Sequence, residues 1–431
     1  MDGSFVLSAP PPLPLSPLPS SSRHVRPLGA PPGREPPAGR LCAAPHPGLD
    51  PDPPSEDPWY SAPRGFESAA PGEILRIRAA PGNLTTVVGN ASAAYNILYR
   101  TTNSLYKPSA AAAAANGSSL LSYQIAYDSF DVNASPSYAM YTDPSTDIAT
   151  ALKLGWFVNV PDFEGPLASF TAGVASGHAT LDSVRAVLSS GFGLDEHARY
   201  ALWGYSGGAL ASEWAAELQG QYAPELTFSG AAVGGLTPNI TNVMDSVSGT
   251  LSAGLVPAAI LGISSQHPDT YAYIVSQLKP NGTYNRARFL ATKDLDLDEA
   301  ELYYLEQDIF DYFVDGYETF YNPVVQKALN QDGYMGYHGV PQMPVFAYKA
   351  INDEVSPIAD SDQLIARYCG VGVNILYERN TVGGHSAEEV NSDARAWAWL
   401  TSIFDGTYAS KYATSGCTIR NVTLNITSSP L

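Results

Sequence analysis

The segment Leu202–Ala209, with the sequence LWGYSGGA, constrains the fold of this chain more than any other feature. It contains the pattern Gly-x-Ser-x-Gly with Ser206 at its centre. The apolar run 198–203 before it predicts a buried strand, and the helix-forming run 209–218 follows it. A strand, a sharp turn and a helix form the context of a nucleophile elbow, in which the turn raises a serine hydroxyl above a sheet. The alternative is a chance pattern in a chain with 37 glycines, and the flanking strand and helix argue against it.

Strand-like and helix-like segments alternate on both sides of this elbow. Short apolar or alternating runs predict strands at 73–78, 95–101, 122–127, 155–161, 227–235, 343–350 and 374–378. Helical patterns cover 167–188, 360–368 and 387–404. This alternation at short spacing is typical of an α/β fold with a mainly parallel central sheet.

Changes in composition divide the chain. Residues 1–56 are rich in Pro, Ser and Ala, which predicts a disordered leader because such a stretch buries too little apolar surface. The α/β alternation covers 57–235 and 341–417 and predicts a core built from both parts. Between them, 236–340 lose the alternation and predict a mostly helical cap inserted after the elbow. The remaining residues, 418–431, form a short polar tail.

The charge balance limits the classes of partner. The chain has 42 acidic and 23 basic residues and a formal net charge of −19, which argues against nucleic acid as a partner. It also disfavours attraction to an anionic membrane surface by charge alone. No apolar run has the length of a transmembrane helix. The acidic cluster within the cap lacks the spacing of a calcium loop, so we interpret it as a solvated helix face and expect no metal site.

Two features bear on the compartment and disagree. The first residues, Met1–Leu7, lack the basic and apolar regions of a signal peptide. A dense set of Asn-x-Ser/Thr sequons nevertheless predicts a glycosylated, extracellular surface. We hypothesise that the biological N-terminus differs from Met1. The candidate acceptors are Asn83, Asn90, Asn116, Asn133, Asn239, Asn281, Asn421 and Asn425.

Three cysteines are present. Cys369 and Cys417 lie in the predicted core, and a disulfide between them would close a long loop and stabilise the fold by about 2–4 kcal/mol. Two buried thiols are the alternative. Cys42 lies in the predicted leader and remains without a predicted partner.

A serine nucleophile needs a base within hydrogen-bond reach and an acid that orients the base. In a fold with this elbow, the acid and then the histidine follow the serine along the chain. Of His267, His338 and His385, only His385 follows a predicted strand, in a Gly-Gly-His turn at the start of a helix. The candidate base is therefore His385, and a helix-terminal histidine without a catalytic role is the alternative.

The candidate acid is Asp353, which follows the strand predicted at 343–350. Glu354 and Asp360 are competitors in the same loop. The N–H group of Gly207, the first residue after the serine, is the first candidate donor of an oxyanion hole. The N–H group of Asp162, in the loop after the central strand at 155–161, is the second, and an ordinary helix N-cap is the alternative for this residue.

The chain resembles the fungal secretory lipase family of the α/β-hydrolase superfamily over residues 57–417. The resemblance implies an α/β-hydrolase core with an inserted helical cap (lid), and hydrolysis of carboxylic esters, including triacylglycerols, without a metal or cofactor. It assigns the triad to Ser206, Asp353 and His385 and the oxyanion hole to Asp162 and Gly207. Ala134 stands where family members often have a cysteine bonded to the cap. The segments that carry the resemblance are Gly204–Ala209, Tyr222–Leu226, Gly234–Gly235, Asp162–Gly165, Asp353–Pro357, Asn133–Tyr138 and His385.

The sequence therefore predicts a secreted serine lipase that acts on lipid or other esters at an oil–water interface. A short-chain carboxylesterase and a serine peptidase of the same fold are the alternatives among enzymes. A catalytically silent hydrolase fold that only binds ligands is the alternative outside enzymes, and it would require an inactivating substitution in the triad.

Overall fold

The computed structural model describes residues 4–8, 51–111, 119–195 and 197–425. Its strands form one sheet. In chain order they are β1 (Ser4–Ser8), β2 (Ile74–Ala79), β3 (Ala93–Thr102), β4 (Pro108–Ala111), β5 (Ser119–Gln124), β6 (Phe157–Pro161), β7 (Arg199–Tyr205), β8 (Gly230–Gly234), β9 (Val345–Ala350), β10 (Ile375–Asn380) and β11 (Cys417–Val422).

The sheet has a parallel part and an antiparallel part. Seven strands run parallel in the order β11-β10-β9-β8-β7-β5-β6. The sheet continues from β6 through β1, β3 and β2 by antiparallel pairing, and β4 pairs with β3. All residues of β6, β8 and β9 are buried, as expected of parallel strands covered by helices on both faces. The predicted α/β class is confirmed.

The helices connect these strands and form most of the segment between β8 and β9. The α-helices are α1 (Leu84–Val88), α2 (Pro136–Ala139), α3 (Thr146–Lys153), α4 (Gly173–Ser189), α5 (Gly207–Tyr222), α6 (Ile240–Val247), α7 (Leu255–Ser265), α8 (Pro268–Gln277), α9 (Arg286–Phe289), α10 (Leu297–Tyr303), α11 (Pro323–Asp332), α12 (Ile358–Gly370), α13 (His385–Phe404) and α14 (Tyr408–Lys411). Short 3₁₀ helices lie at Pro58–Tyr60, Phe66–Ser68, Val132–Ala134, Gly165–Leu167, Leu290–Asp294, Ile309–Tyr312 and Gly316–Tyr321.

Helices α4 and α5 pack closely on one face of the sheet because small residues line their contact. A Cβ atom added to Gly173 would lie 1.9 Å from the ring of Trp214. On the other face, Trp156 packs against Trp397 and Phe404 of α13. Both faces of the parallel sheet are therefore covered, and the strand ends remain as the place for a site.

The segment between β8 and β9 contains α6 to α11, and we refer to it as the cap. Asp332 at the end of α11 connects this cap to the core. Its carboxylate accepts hydrogen bonds from Ser104 Oγ (2.8 Å) and from the N–H group of Val174 (3.0 Å), and it lies 2.6 Å from Nε2 of His267. The side chain of Asp332 is fully buried, so these contacts replace its hydration.

None of the described helices combines the length and apolarity needed to cross a lipid bilayer.

Three strands lie where the sequence predicts none, namely β1, β4 and β11. Ser4–Ser8, within the predicted leader, pairs with both β3 and β6. Cys417–Val422 extends from the core boundary into the predicted polar tail and pairs with β10 as an edge strand. An edge strand is held mainly by backbone hydrogen bonds to its one neighbour, so its sequence can be polar and lack the apolar pattern by which strands are predicted.

Cys369 and Cys417 form a disulfide, which confirms the predicted pair.

Candidate active site

The turn between β7 and α5 holds Ser206 in a strained conformation. Its backbone angles φ and ψ are 52° and −120°, a combination that residues other than glycine rarely adopt. The chain tolerates this turn because glycines flank it. A Cβ atom on Gly204 would lie 2.3 Å from the carbonyl group of Gly208, and one on Gly208 would lie 1.9 Å from the carbonyl oxygen of Gln124. The serine hydroxyl is thus presented at the carboxyl end of β7, at the N-terminus of a helix.

His385 lies beside this serine. The ring atom Nε2 is 2.8 Å from Ser206 Oγ. His385 is the first residue of α13, and its backbone is held on both sides. Its N–H group donates to Glu354 Oε2 (2.9 Å), and its carbonyl oxygen accepts from the hydroxyl of Tyr205 (2.6 Å). These bonds hold the backbone of His385 at the start of the helix.

Asp353 completes this chain of contacts. Its Oδ2 lies 2.7 Å from His385 Nδ1, and its Oδ1 accepts the N–H groups of Val355 (3.0 Å) and Ser356 (2.8 Å). The ammonium group of Lys349, itself buried, donates to the same Oδ2 at 2.7 Å. Burial opposes ionisation of the carboxyl, but the hydrogen bond from His385 and the charge of Lys349 outweigh it and lower the pKa of Asp353 to about 2.

The competing candidates lie elsewhere. Glu354 binds the backbone of His385 rather than its ring, and Asp360 accepts from the amide of Asn242. His267 pairs with Asp332 within the cap. His338 lies near Glu217 and packs against the ring of Trp214. The structure therefore brings together Ser206, His385 and Asp353.

Asp128 is a site residue that the sequence reasoning missed. It follows β5, the strand directly beside β7, and its φ of 41° is in the left-handed region. A Cβ atom on Gly207 would lie 1.8 Å from Asp128 Oδ1, so the two residues are in direct contact. Asp128 is buried, and this burial raises the pKa of its carboxyl to about 7.

Asp162, the predicted second oxyanion donor, lies further from the serine in the sheet. It follows β6, which is separated from β7 by β5. Its Oδ1 accepts the N–H group of Ser137 (2.8 Å), and it lies outside the described residues that line the cavity next to Ser206. Chain order does not show this arrangement, because β6 is the last strand before β7 in sequence while β5 lies beside β7 in space.

A narrow apolar cavity opens at Ser206. Residues of α6, α7 and the loop before α4 form most of its wall. A second small apolar space lies between α6, α7, α8 and α11 and shares Ile240, Met244 and Ala259 with the first. The lining residues of the first cavity are Asp128, Phe170, Thr171, Ser206, Gly207, Leu210, Thr237, Ile240, Val243, Met244, Val247, Leu255, Val256, Ala259 and Val355.

Most candidate glycosylation residues lie at the surface. Asn83, Asn90, Asn281, Asn421 and Asn425 are exposed. Asn133 and Asn239 are half-buried, and their side-chain oxygens already accept backbone hydrogen bonds. Asn116 lies outside the described residues.

Within the described ranges, no group of three or more His, Cys, Asp or Glu side chains could hold a metal ion.

Comparison with known proteins decides the family. The sequence model of the family described as "Secretory lipase" matches residues 138–411. The chain belongs to the secretory lipase family. The predicted resemblance is thereby confirmed, and the chain is a carboxylic ester hydrolase.

The relatives of this chain include a protein named as a trichothecene esterase and proteins named as lipases. The chain is 50% identical over 416 residues to the trichothecene C-3 esterase of Fusarium sporotrichioides, across 91% of this chain and 93% of that protein. It is 37% identical over 383 residues to lipase A of Arthroderma benhamiae, across 83% of this chain and 81% of that protein. Candida antarctica lipase A in its closed state superposes with a TM-score of 0.76 at 27% identity, covering 83% of this chain and 87% of that one. This superposition shows that the chain has the α/β-hydrolase fold.

Proposed function

We propose that this ester hydrolase works through Ser206, His385 and Asp353 and an acyl-enzyme intermediate. The observation that carries the proposal is the unbroken chain of contacts from Ser206 Oγ through the imidazole to Asp353 at the mouth of an apolar cavity. A serine hydroxyl becomes nucleophilic only when a neighbouring base takes its proton. The geometry supplies that base at 2.8 Å and supplies an acid that orients it.

The reaction proceeds in two steps. His385 Nε2 takes the proton of Ser206 as Oγ bonds to the ester carbonyl carbon, and the protonated ring then gives this proton to the leaving alcohol. Water attacks the acyl-serine with the same base, and the acid leaves while Ser206 regains its proton. Asp353 stays ionised throughout, in keeping with its low pKa, and stabilises the imidazolium.

We assign the oxyanion hole to the N–H groups of Gly207 and Asp128. Gly207 is the first residue of α5, where helix N–H groups lack intrahelical partners and favour negative charge. Asp128 lies in the loop after the strand next to β7, which is the loop that supplies the second donor in folds with a nucleophile elbow. Asp162 was predicted for this role, and its position one strand further away does not support it.

We infer that the preferred substrate is an acylated trichothecene. The 50% identity to a trichothecene C-3 esterase over nearly the full length of both chains supports this inference. Triacylglycerol is the second candidate, because the cavity at Ser206 is apolar and shares lining residues with a second apolar space in the cap. We also propose that the enzyme acts outside the cell, in line with its exposed sequons.

The test compares three kinds of ester with the purified chain and with Ser206→Ala. The substrates are a trichothecene acylated at C-3, p-nitrophenyl esters of increasing acyl length and a triglyceride emulsion. We expect the highest kcat/KM on the trichothecene ester and loss of all activity in the variant. Preference for the emulsion would move the assignment to triacylglycerol lipase. Equal activity of the two proteins would refute Ser206 as the nucleophile.

A further inference from the structure

A buried lysine contacts the acid of the proposed triad. Lys349 is the fifth residue of β9, and it is 1% exposed. Its ammonium group donates to Asp353 Oδ2 (2.7 Å) and to the carbonyl oxygen of Leu236 (2.9 Å). The mechanism above needs only serine, histidine and aspartate, so this charge requires its own explanation.

We propose that Lys349 is a positioning residue that keeps Asp353 ionised and opposes protonation of His385, so that hydrolysis persists to lower pH. The inference rests on the proposed triad. It follows from the geometry of one oxygen atom, Asp353 Oδ2, which is 2.7 Å from Lys349 Nζ and 2.7 Å from His385 Nδ1. If the imidazole gains a proton, two positive charges lie within about 5.4 Å of each other, twice 2.7 Å.

The surroundings of the histidine explain why such a charge is useful. Its ring nitrogens face Asp353 and Ser206, its backbone N–H group faces Glu354, and the ring of Tyr205 packs 5.4 Å from its own. Two further carboxyls interact with it electrostatically, Asp128 from the loop after β5 and Glu389 on α13. In their ionised forms these carboxylates favour an imidazolium, which cannot act as the base.

The groups around Asp353 and Lys349 are also acidic. Glu388 on α13 and the phenols of Tyr205 and Tyr377 interact with Asp353, and Asp360 and Glu354 interact with Lys349. The chain as a whole carries a net charge of −19. Lys349 thus brings a positive charge to Asp353, the carboxylate that contacts the imidazole ring.

The hydrogen bond from Lys349 also helps to fix the orientation of the Asp353 carboxylate. Asp353 Oδ1 accepts two backbone N–H groups, and its Oδ2 accepts the imidazole and the ammonium group. With all four donors in place the carboxylate has no freedom to rotate away from the ring. Burial lowers the pKa of Lys349, while the charge of Asp353 opposes this shift and stabilises the ammonium form.

The decisive experiment measures kcat/KM for p-nitrophenyl acetate between about pH 4 and pH 9. The proteins are the wild type, Lys349→Met, Lys349→Gln and Ser356→Ala. Ser356→Ala is the matched control, because Ser356 Oγ also donates to Leu236 O (3.0 Å) but carries no charge. We expect the midpoint of the acid limb to rise by about one to two pH units in both lysine variants, the effect of a unit charge at this distance. The control should keep the wild-type midpoint.

A purely structural lysine would lower thermal stability or the plateau rate without moving this midpoint, and that result would overturn the inference. If a lysine variant is too weak for rate measurements, the downfield NMR signal of the imidazole N–H proton is followed against pH in whichever lysine variant folds. An unchanged titration midpoint there would also overturn it. Failure of the proposed triad is recognised separately, because Ser206→Ala would then retain wild-type activity.

Discussion

Gly207 and Asp128 fit together without room for one additional carbon atom. A Cβ atom on Gly207 would lie 1.8 Å from Asp128 Oδ1, less than a van der Waals contact distance, and the side chain of Asp128 is buried. Both residues line the cavity beside Ser206. The absence of a side chain at position 207 therefore sets the position of the loop that we assign to the oxyanion hole.

We expect Gly207→Ala to displace Asp128 and to remove one oxyanion donor. Loss of one such donor lowers the rate by about 10²–10³-fold. The measurement is kcat/KM for p-nitrophenyl butyrate. The matched control is Gly220→Ala on the same helix, where the nearest atom, Gln342 Cγ, would lie at an ordinary 3.7 Å. Similar activity of the two variants would refute the role of this contact.

Asp353→Asn tests which carboxyl is the acid. The amide would leave the imidazole without its anionic partner, and we expect kcat/KM to fall by about 10³–10⁴-fold. The matched controls are Glu354→Gln and Asp360→Asn, since neither carboxyl contacts the ring in the described structure. We expect each control to lose less than about tenfold. A larger loss in Glu354→Gln than in Asp353→Asn would exchange the two assignments.

The sequence predicted the elements of the site that depend on local pattern. The elbow at Ser206 is a local strand–turn–helix pattern, and His385 and Asp353 each follow a recognisable strand. These three residues were therefore predictable, and the structure brings them into contact.

The elements that depend on the order of strands were not predictable in the same way. Asp162 and Asp128 both follow central strands, and only the spatial order β7-β5-β6 shows that Asp128 is the nearer. Lys349 is one charged residue in an otherwise apolar strand, and the sequence does not show that it points at Asp353. The strand Ser4–Ser8 pairs with residues about ninety or more positions away, so no local signal announces it.

Ala259→Phe should change acyl-length preference. Ala259 lines both the cavity at Ser206 and the second apolar space in the cap, so a ring at this position would fill the region where the two adjoin. We expect kcat/KM for p-nitrophenyl decanoate to fall at least about tenfold while that for the acetate stays within about threefold. Leu167→Phe, at an exposed position away from the cavity lining, is the control. Equal losses on both esters would show that acyl chains do not occupy this space.

Glu213→Gln should stabilise the protein increasingly as pH rises. Burial, and then the charge of Glu217, raise the pKa of Glu213 well above its ordinary value. Above about pH 4.5 the unfolded chain releases this proton while the folded chain retains it, so stability falls with rising pH up to the folded pKa. Glutamine does not titrate, so in Glu213→Gln this pH-dependent loss of stability disappears. The measurement is the Tm of variant and wild type between about pH 4 and pH 8.

Glu225→Gln provides the control of opposite sign for this prediction. Glu225 is largely exposed, and its hydrogen bond with Arg185 lowers the pKa of Glu225. Its contribution is present above the unfolded pKa and is lost as pH falls through the folded pKa, so the substitution should reduce Tm slightly at neutral pH and leave it unchanged in acid. The Tm difference from wild type should therefore grow in opposite directions for the two variants. A constant difference for Glu213→Gln across this range would mean that Glu213 does not retain its proton in the folded protein.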